Sequence, residues 1–262
     1  MTACVGDWIA ALESLYDPAW AAEWDAVGLV VGDPESVAAE ALFAIDPVAA
    51  TVDEAVARGV RLLVTHHPLL LRGVHGVPET DYKGALVARL VREGIALYVA
   101  HTNADVATPG VSDALAAALG LVDVTALGPE ARGYGRIGTL AEPVPLAAFA
   151  QRVAASLPRS GNPVRVAGDV RRIVERVAVC GGAGDDLVDT ARSAGADVYL
   201  TADLKHHVVS EACERGLALV DAGHWATEWP WLGDAAERVA TRVGGVEAHV
   251  STLVTDPWSP LA

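Results

Sequence analysis

The chain has 262 residues, 52% hydrophobic and 20% charged, which is long and apolar enough to bury a globular core without staples. Its formal net charge of -15, from 19 Lys and Arg against 34 Asp and Glu, argues against binding a nucleic-acid backbone, because that mode needs clustered cations to displace counterions. Three widely spaced cysteines exclude a disulfide framework and a cysteine zinc site, and no apolar run nears the ~20 residues that span a bilayer, so no membrane role and a cytoplasmic location are expected.

In chain order, MTACVGDWIAALESLY sets Asp7 and Glu13 among apolar residues, the pattern of an amphipathic helix rather than a signal peptide. ALFAID (41–46) reads as a strand. VDEAVARG reads as a helix closed by Gly59, VRLLV follows as a strand, and His66 and His67 come directly after Thr65. ALVARLVREG repeats the pattern to Gly94, and the strand IALYVA delivers His101 and Asp105. The stretch 121–170, with GPEARGYGRIGTL and the helix PLAAFAQRVAASL, reads as a connecting region with some added structure. RVAVC (176–180) opens a second series, in which DTARSAGADVYLT keeps the earlier spacing: Asp53, Gly59 and Thr65 correspond to Asp189, Gly195 and Thr201. SEACERG to Gly216 and the strand LALVDA complete it and deliver His224 and Glu228. Glycine suits each helix end because positive φ costs it little.

Each half therefore reads β-α-β-α-β, and the expected fold is α/β with two similar halves and mostly parallel sheets. The halves are placed at 1–125 and 126–262. Open parallel sheets carry ligands at the carboxyl ends of their strands, where His66, His67, Asp105, His224 and Glu228 fall. Pro68 holds His67 extended and ends the strand, so adjacent imidazoles can both reach the loop layer and serve two ions. His224 and Glu228 are four residues apart, although Pro230 predicts a helix starting only near Thr227, with His224 in the preceding turn. Asp105 adds a second carboxylate, while His101 orients a ligand or packs beneath the site. Imidazoles with bridging carboxylates suit Zn, Fe, Mn or Co better than Ca or Mg.

TADLKHH adds Lys205, His206 and His207 at another strand end, where Lys205 or His207 would hold phosphate or move protons. CGGAGDDL fails as a dinucleotide fingerprint: the third glycine position counted from Gly182 is Leu187, and Asp185 and Asp186 would repel phosphate. Trp225, Trp229 and Trp231 surround Glu228, as core packing or as a wall for a planar base.

Taken together, EWDAVGL (23–29), THHPL (65–69), HTNAD (101–105), GRIG (135–138), CGGAG (180–184), TADLKHH (201–207) and GHWATE (223–228) resemble the Nif-three-like dinuclear-metal-centre hexameric proteins, also known as type 2 GTP cyclohydrolase I homologues. The resemblance runs over nearly the whole chain. It implies two divalent ions per subunit on His66, His67, Asp105, His224 and Glu228, in a cleft between the halves of a homohexamer. The implied activity is metal-dependent hydrolysis of a nucleotide or related heterocycle, with GTP cyclohydrolysis the specific reaction; in that chemistry His207 or His101 would shuttle protons. The alternatives are a non-catalytic metal-binding scaffold or regulator, and a phosphoesterase. Ala26 stands where this family usually has Asn, and Leu71 where an aromatic is common.

Overall fold

The computed structural model describes residues 2–129 and 132–259, so Glu130 and Ala131 of the connecting region lie outside the described residues. In chain order the elements are α1 (Val5–Leu15), β1 (Gly28–Val31), β2 (Glu40–Ala44), α2 (Ala49–Arg58), β3 (Leu62–Thr65), α3 (Tyr82–Glu93), β4 (Ala96–Val99) and the single turn α4 (Thr102–Asp105). Then come α5 (Val111–Ala118), β5 (Leu121–Ala126), β6 (Arg136–Pro145), α6 (Leu146–Ser156), β7 (Arg165–Ala167), β8 (Ile173–Ala183) and α7 (Val188–Ser193). The chain continues through β9 (Val198–Ala202), α8 (His206–Glu214), β10 (Ala218–Asp221), α9 (His224–Glu228), α10 (Pro230–Val243) and β11 (Glu247–Val250).

These elements group into two compact units, Met1–Ala107 with Leu232–Thr255, and Thr108–Trp231 with Asp256–Ala262. The grouping differs from a single cut near residue 125. The reason lies in one ladder: β11 pairs in parallel with β2, His249 opposite Leu42, so the chain returns late to the sheet it left. Nothing in the short segment EAHV announces which sheet it will join.

The first unit has the strand order β1-β4-β3-β2-β11, with β4, β3, β2 and β11 parallel and β1 antiparallel at the edge. Strand alternation sends side chains to both faces. Leu42, Ala44, Leu63 and Leu97 share one buried cluster with Val52 and Ala55 of α2 and Leu86 and Leu90 of α3. From the other face Phe43 meets Trp8 of α1, ring centroids 6.5 Å apart, and the Trp8 indole N–H donates to Ala38 O at 2.8 Å. Gly59 and Gly94 end α2 and α3 in left-handed conformation, φ 73° and 64°, as their place after each helix requires.

The second unit has the order β5-β6-β8-β9-β10-β7. Only its middle, β8, β9 and β10, is parallel; β5, β6 and β7 add antiparallel ladders. The region that reads as a connection thus supplies three strands and α6 to this sheet. Val177, Val179, Val198, Leu200 and Val220 pack with Phe149 and Val153 of α6, while the alternate residues Ala178, Cys180, Tyr199 and Leu219 pack with Ala191 of α7 and Ala212 of α8. Arg136 of the GRIG segment is 2% exposed, and its guanidinium donates to both oxygens of Asp113 and to Gly133 O, which fixes β6 against the start of α5. Among the described residues Cys4, Cys180 and Cys213 form no disulfide, and no described helix is long and apolar enough to cross a membrane.

The two β-α-β-α-β series are β2-α2-β3-α3-β4 and β8-α7-β9-α8-β10. In each, parallel neighbours bring three strand ends to one edge of the sheet, and the polar residues following those strands are brought together there.

Candidate metal centre

In the first unit the ladder continues past the strands: His66 N donates to Ala44 O at 3.1 Å, His67 N to Ile45 O at 2.9 Å, and Ala100 N to Thr65 O at 3.0 Å. These bonds hold His66, His67 and His101 side by side. The three rings lie 5.1 to 5.6 Å apart, centroid to centroid, and a ligand nitrogen from each falls within 4.8 Å of the others. Asp105, at the end of the α4 turn that His101 begins, brings Oδ1 to 3.6 Å from His66 Nε2.

Each ring is fixed through Nδ1. That of His66 lies 2.9 Å from Ala100 O, that of His67 2.7 Å from Asp46 Oδ1, and that of His101 2.9 Å from Asp25 Oδ1. Carbonyls and carboxylates only accept, so Nδ1 carries a proton, and the tautomer compatible with metal ligation is the one with its lone pair on Nε2. Asp46 also accepts from the Thr255 hydroxyl. Asp25 takes the Thr102 N–H at 3.0 Å and the Thr102 hydroxyl at 2.5 Å. Burial alone would raise the pKa of Asp25, but the bonds from His101 and Thr102 outweigh it and hold the carboxyl below the usual carboxylate range. The charged form is therefore the one that faces His101.

In the second unit His224 and Glu228 occupy the two ends of α9, Nε2 to Oε1 at 3.0 Å, and His224 Nδ1 lies 2.7 Å from Asp203 Oδ2. The helix begins at His224 rather than near Thr227. Pro230 does not obstruct it, because Pro230 starts α10, where the missing N–H and fixed φ are tolerated. Burial would lower the pKa of His224, but Glu228, helped by Asp203, pushes it up to about 11. The bond from His224 holds Asp203 below its ordinary range.

Gly182 explains the CGGAG segment. Its φ is +66°, and a Cβ there would lie 2.3 Å from Glu228 Oε1 and 3.1 Å from His224 Nε2. The backbone is bolted in this place: Gly182 N donates to the Thr227 hydroxyl at 3.0 Å, and Gly182 O accepts from the Thr201 hydroxyl at 2.9 Å. The glycines thus let a strand end pass against a histidine and a carboxylate.

The other candidates sit differently. Lys205 reaches Asp185 at 2.6 Å and is exposed, and His207, on the first turn of α8, meets His206 with ring centroids 5.2 Å apart. Trp225 and Trp231 are buried, and Trp229 packs on Trp225 at 6.4 Å, which favours the packing role. Asp25, Asp46 and Asp203 join the site only through the fold. Each lies at or near a quoted strand or motif, but only folding shows which imidazole it faces.

A family model described as Duf34/NIF3 (NGG1p interacting factor 3) matches residues 3–257. The chain belongs to this family. A Duf34/NIF3 relative from Streptomyces coelicolor, named GTP cyclohydrolase 1 type 2 homolog, is 52% identical over 96% of this chain and 92% of its own length. One from Mycobacterium tuberculosis with the same name is 34% identical over 99% of this chain and 97% of its own. That alignment runs over 371 positions, so the mycobacterial protein carries internal residues absent from these 262. Among solved structures, a Bacillus cereus protein related to NIF3 superposes with TM-score 0.92 at 26% identity, covering 98% of this chain and 99% of that one. Reduced HcgD from Methanocaldococcus jannaschii superposes at 0.80 with 28% identity, covering 95% and 98%. The two-sheet α/β architecture is the one shared with these Duf34/NIF3-like folds.

Proposed function

We propose that this Duf34/NIF3 protein holds two divalent ions of the Zn, Fe, Mn or Co type with His66, His67, Asp105, His224 and Glu228, joined by His101, and hydrolyses a nucleotide or related heterocycle. The observation that carries the reading is that His66, His67, His101 and His224 are all held at Nδ1 by an oxygen acceptor. Histidine ligands are oriented in this way, with Nε2 directed to the metal. His101 is included because it shares the space of His66 and His67 and its Nδ1 is held by Asp25 in the manner of a ligand.

When bound, such a pair of ions supplies Lewis acidity and lowers the pKa of water toward neutrality. The chain's own residues do the rest. Asp25, Asp46 and Asp203 fix ring orientation, and Asp105 and Glu228 offer two oxygens each, enough to span two cations. Glu228 is 3% exposed, and a buried carboxylate is costly unless cations compensate it. Proton transfer would fall to His207, exposed on the first turn of α8, and Lys205 would meet phosphate only when its pair with Asp185 opens. The names of the Streptomyces and Mycobacterium relatives support GTP as the first substrate to test. The resemblance to hexameric relatives supports a homohexamer, which light scattering would refute by giving the mass of one chain.

The decisive assay incubates metal-loaded protein with GTP, other nucleotides and phosphoesters and follows products by mass spectrometry. Cyclohydrolysis would show as a species with the mass of GTP plus one water, the ring-opened formamide, or as free formate with a product of the mass of GTP plus one water less formic acid. A fully loaded protein that consumes none of them would leave a metal-binding scaffold.

A further inference from the structure

We propose that Trp24 is the platform on which this protein seats the flat aromatic ring of its ligand, beside the histidines of the first unit. The proposal rests on the reading of that site as one for a nucleotide or related heterocycle, and narrows the class to ligands with a planar ring that can stack.

An exposed apolar side chain needs no explanation by itself. Trp24 is distinguished by what holds it. The residue is 61% exposed, yet its ring stands 6.0 Å from that of His101, with the two planes 79° apart. The imidazole therefore meets the indole edge to face rather than stacked upon it, and most of the indole is left to solvent.

The backbone that carries Trp24 is fixed on both sides. Asp25 N donates to Ala22 O at 2.9 Å, and Ala22 N donates to the Thr102 hydroxyl at 3.0 Å. The Asp25 side chain is fully buried and takes His101 Nδ1, Thr102 N and the Thr102 hydroxyl. One carboxylate thus ties the loop bearing the indole to the turn bearing His101 and Asp105. An aromatic held this way has little freedom left to lose on binding, since Trp has only two side-chain torsions.

Stacking on an indole is tolerant of base identity, because every base has a π-face, and it adds nothing to the binding of a bare phosphate chain. These features separate a stacking platform from a phosphate contact, and the mass of the variants separates it from a surface covered by a second copy of the chain.

The test is calorimetric titration of metal-loaded full-length protein with GTP, ATP and inorganic triphosphate, for wild type, Trp24→Phe, Trp24→Leu and Trp24→Ala. Metal content and light-scattering mass are measured on each. Expected for Trp24→Ala and Trp24→Leu is a loss of roughly ten- to hundredfold in affinity for both nucleotides. Triphosphate binding, metal content and mass should be unchanged, and Trp24→Phe should keep most of the affinity. Nucleotide affinity unchanged in Trp24→Ala overturns the proposal, as does wild type that binds GTP no better than triphosphate. A fall in mass on substitution also overturns it, by assigning the indole to a contact between copies. Because binding is read without turnover, failure of hydrolysis leaves the proposal standing, and cyclohydrolysis with unchanged KM in Trp24→Ala overturns it alone.

Discussion

Nε2 of His224 lies 3.0 Å from Oε1 of Glu228, while Nδ1 of the same ring lies 2.7 Å from Asp203. A histidine between two carboxylates, free of any ion, is a cation. Burial opposes the charge, but Glu228 and then Asp203 prevail and push the pKa up to about 11. Because the folded value stands above the ordinary one, the pair stabilises the ion-free protein fully below the ordinary histidine pKa. That contribution is lost as pH rises through the folded value. In chelator-treated protein the His224 ring should therefore show no NMR titration between roughly pH 6 and pH 9. Glu228→Gln should bring its midpoint down, and loading with a divalent ion should release the proton. An ordinary titration near neutrality in the wild type would contradict the pairing.

Asp25→Asn tests ring orientation. It removes the charged acceptor that fixes His101 and leaves the imidazole itself in place. Loss of such an orienting partner typically weakens metal binding by about 10- to 100-fold, and competition against a chromogenic chelator would measure it. Unchanged affinity would remove His101 from the ligand set.

Gly182→Ala and Gly195→Ala make a matched pair. Both glycines have positive φ, +66° and +77°, so alanine costs backbone strain of about 1–2 kcal/mol at either. Only at Gly182 would the new Cβ meet Glu228 and His224; at Gly195 nothing lies within 4 Å. Both variants should lose a few degrees of Tm, whereas metal content should fall only in Gly182→Ala. Equal metal loss in the two would show that strain, not contact with the ligands, is responsible.

Much of this architecture was legible in the sequence because helix-Gly-strand units repeat with their registers intact, from Asp53-Gly59-Thr65 to Asp189-Gly195-Thr201. Residues that follow parallel strands gather at one edge, so His66, His67, His101 and Asp105 could be grouped by position alone. Three things were not legible. Strand β11 gives no sign that it joins β2, because pairing across more than 200 residues leaves no local trace. The 121–170 stretch reads as a connection because its strands β5, β6 and β7 pair antiparallel and lack the regular helix-Gly-strand alternation that marks a parallel crossover. The orienting roles of Asp25, Asp46 and Asp203 depend on side-chain direction, which periodicity does not encode. Pro230 starts α10 and does not delay the turn that holds His224 and Glu228 together.

Glu228 is the most direct probe of a paired metal centre, because its two oxygens can reach two cations whereas an imidazole binds one. The measurement is elemental analysis with anomalous diffraction on reloaded wild type, Glu228→Gln and His67→Ala, with circular dichroism to confirm the fold. Wild type should hold roughly two transition-metal ions per chain. His67→Ala should mainly empty one position, and Glu228→Gln should lose metal from both. Less than about half an ion per chain in reloaded wild type, or both positions full in Glu228→Gln, would contradict a dinuclear centre bridged by this carboxylate.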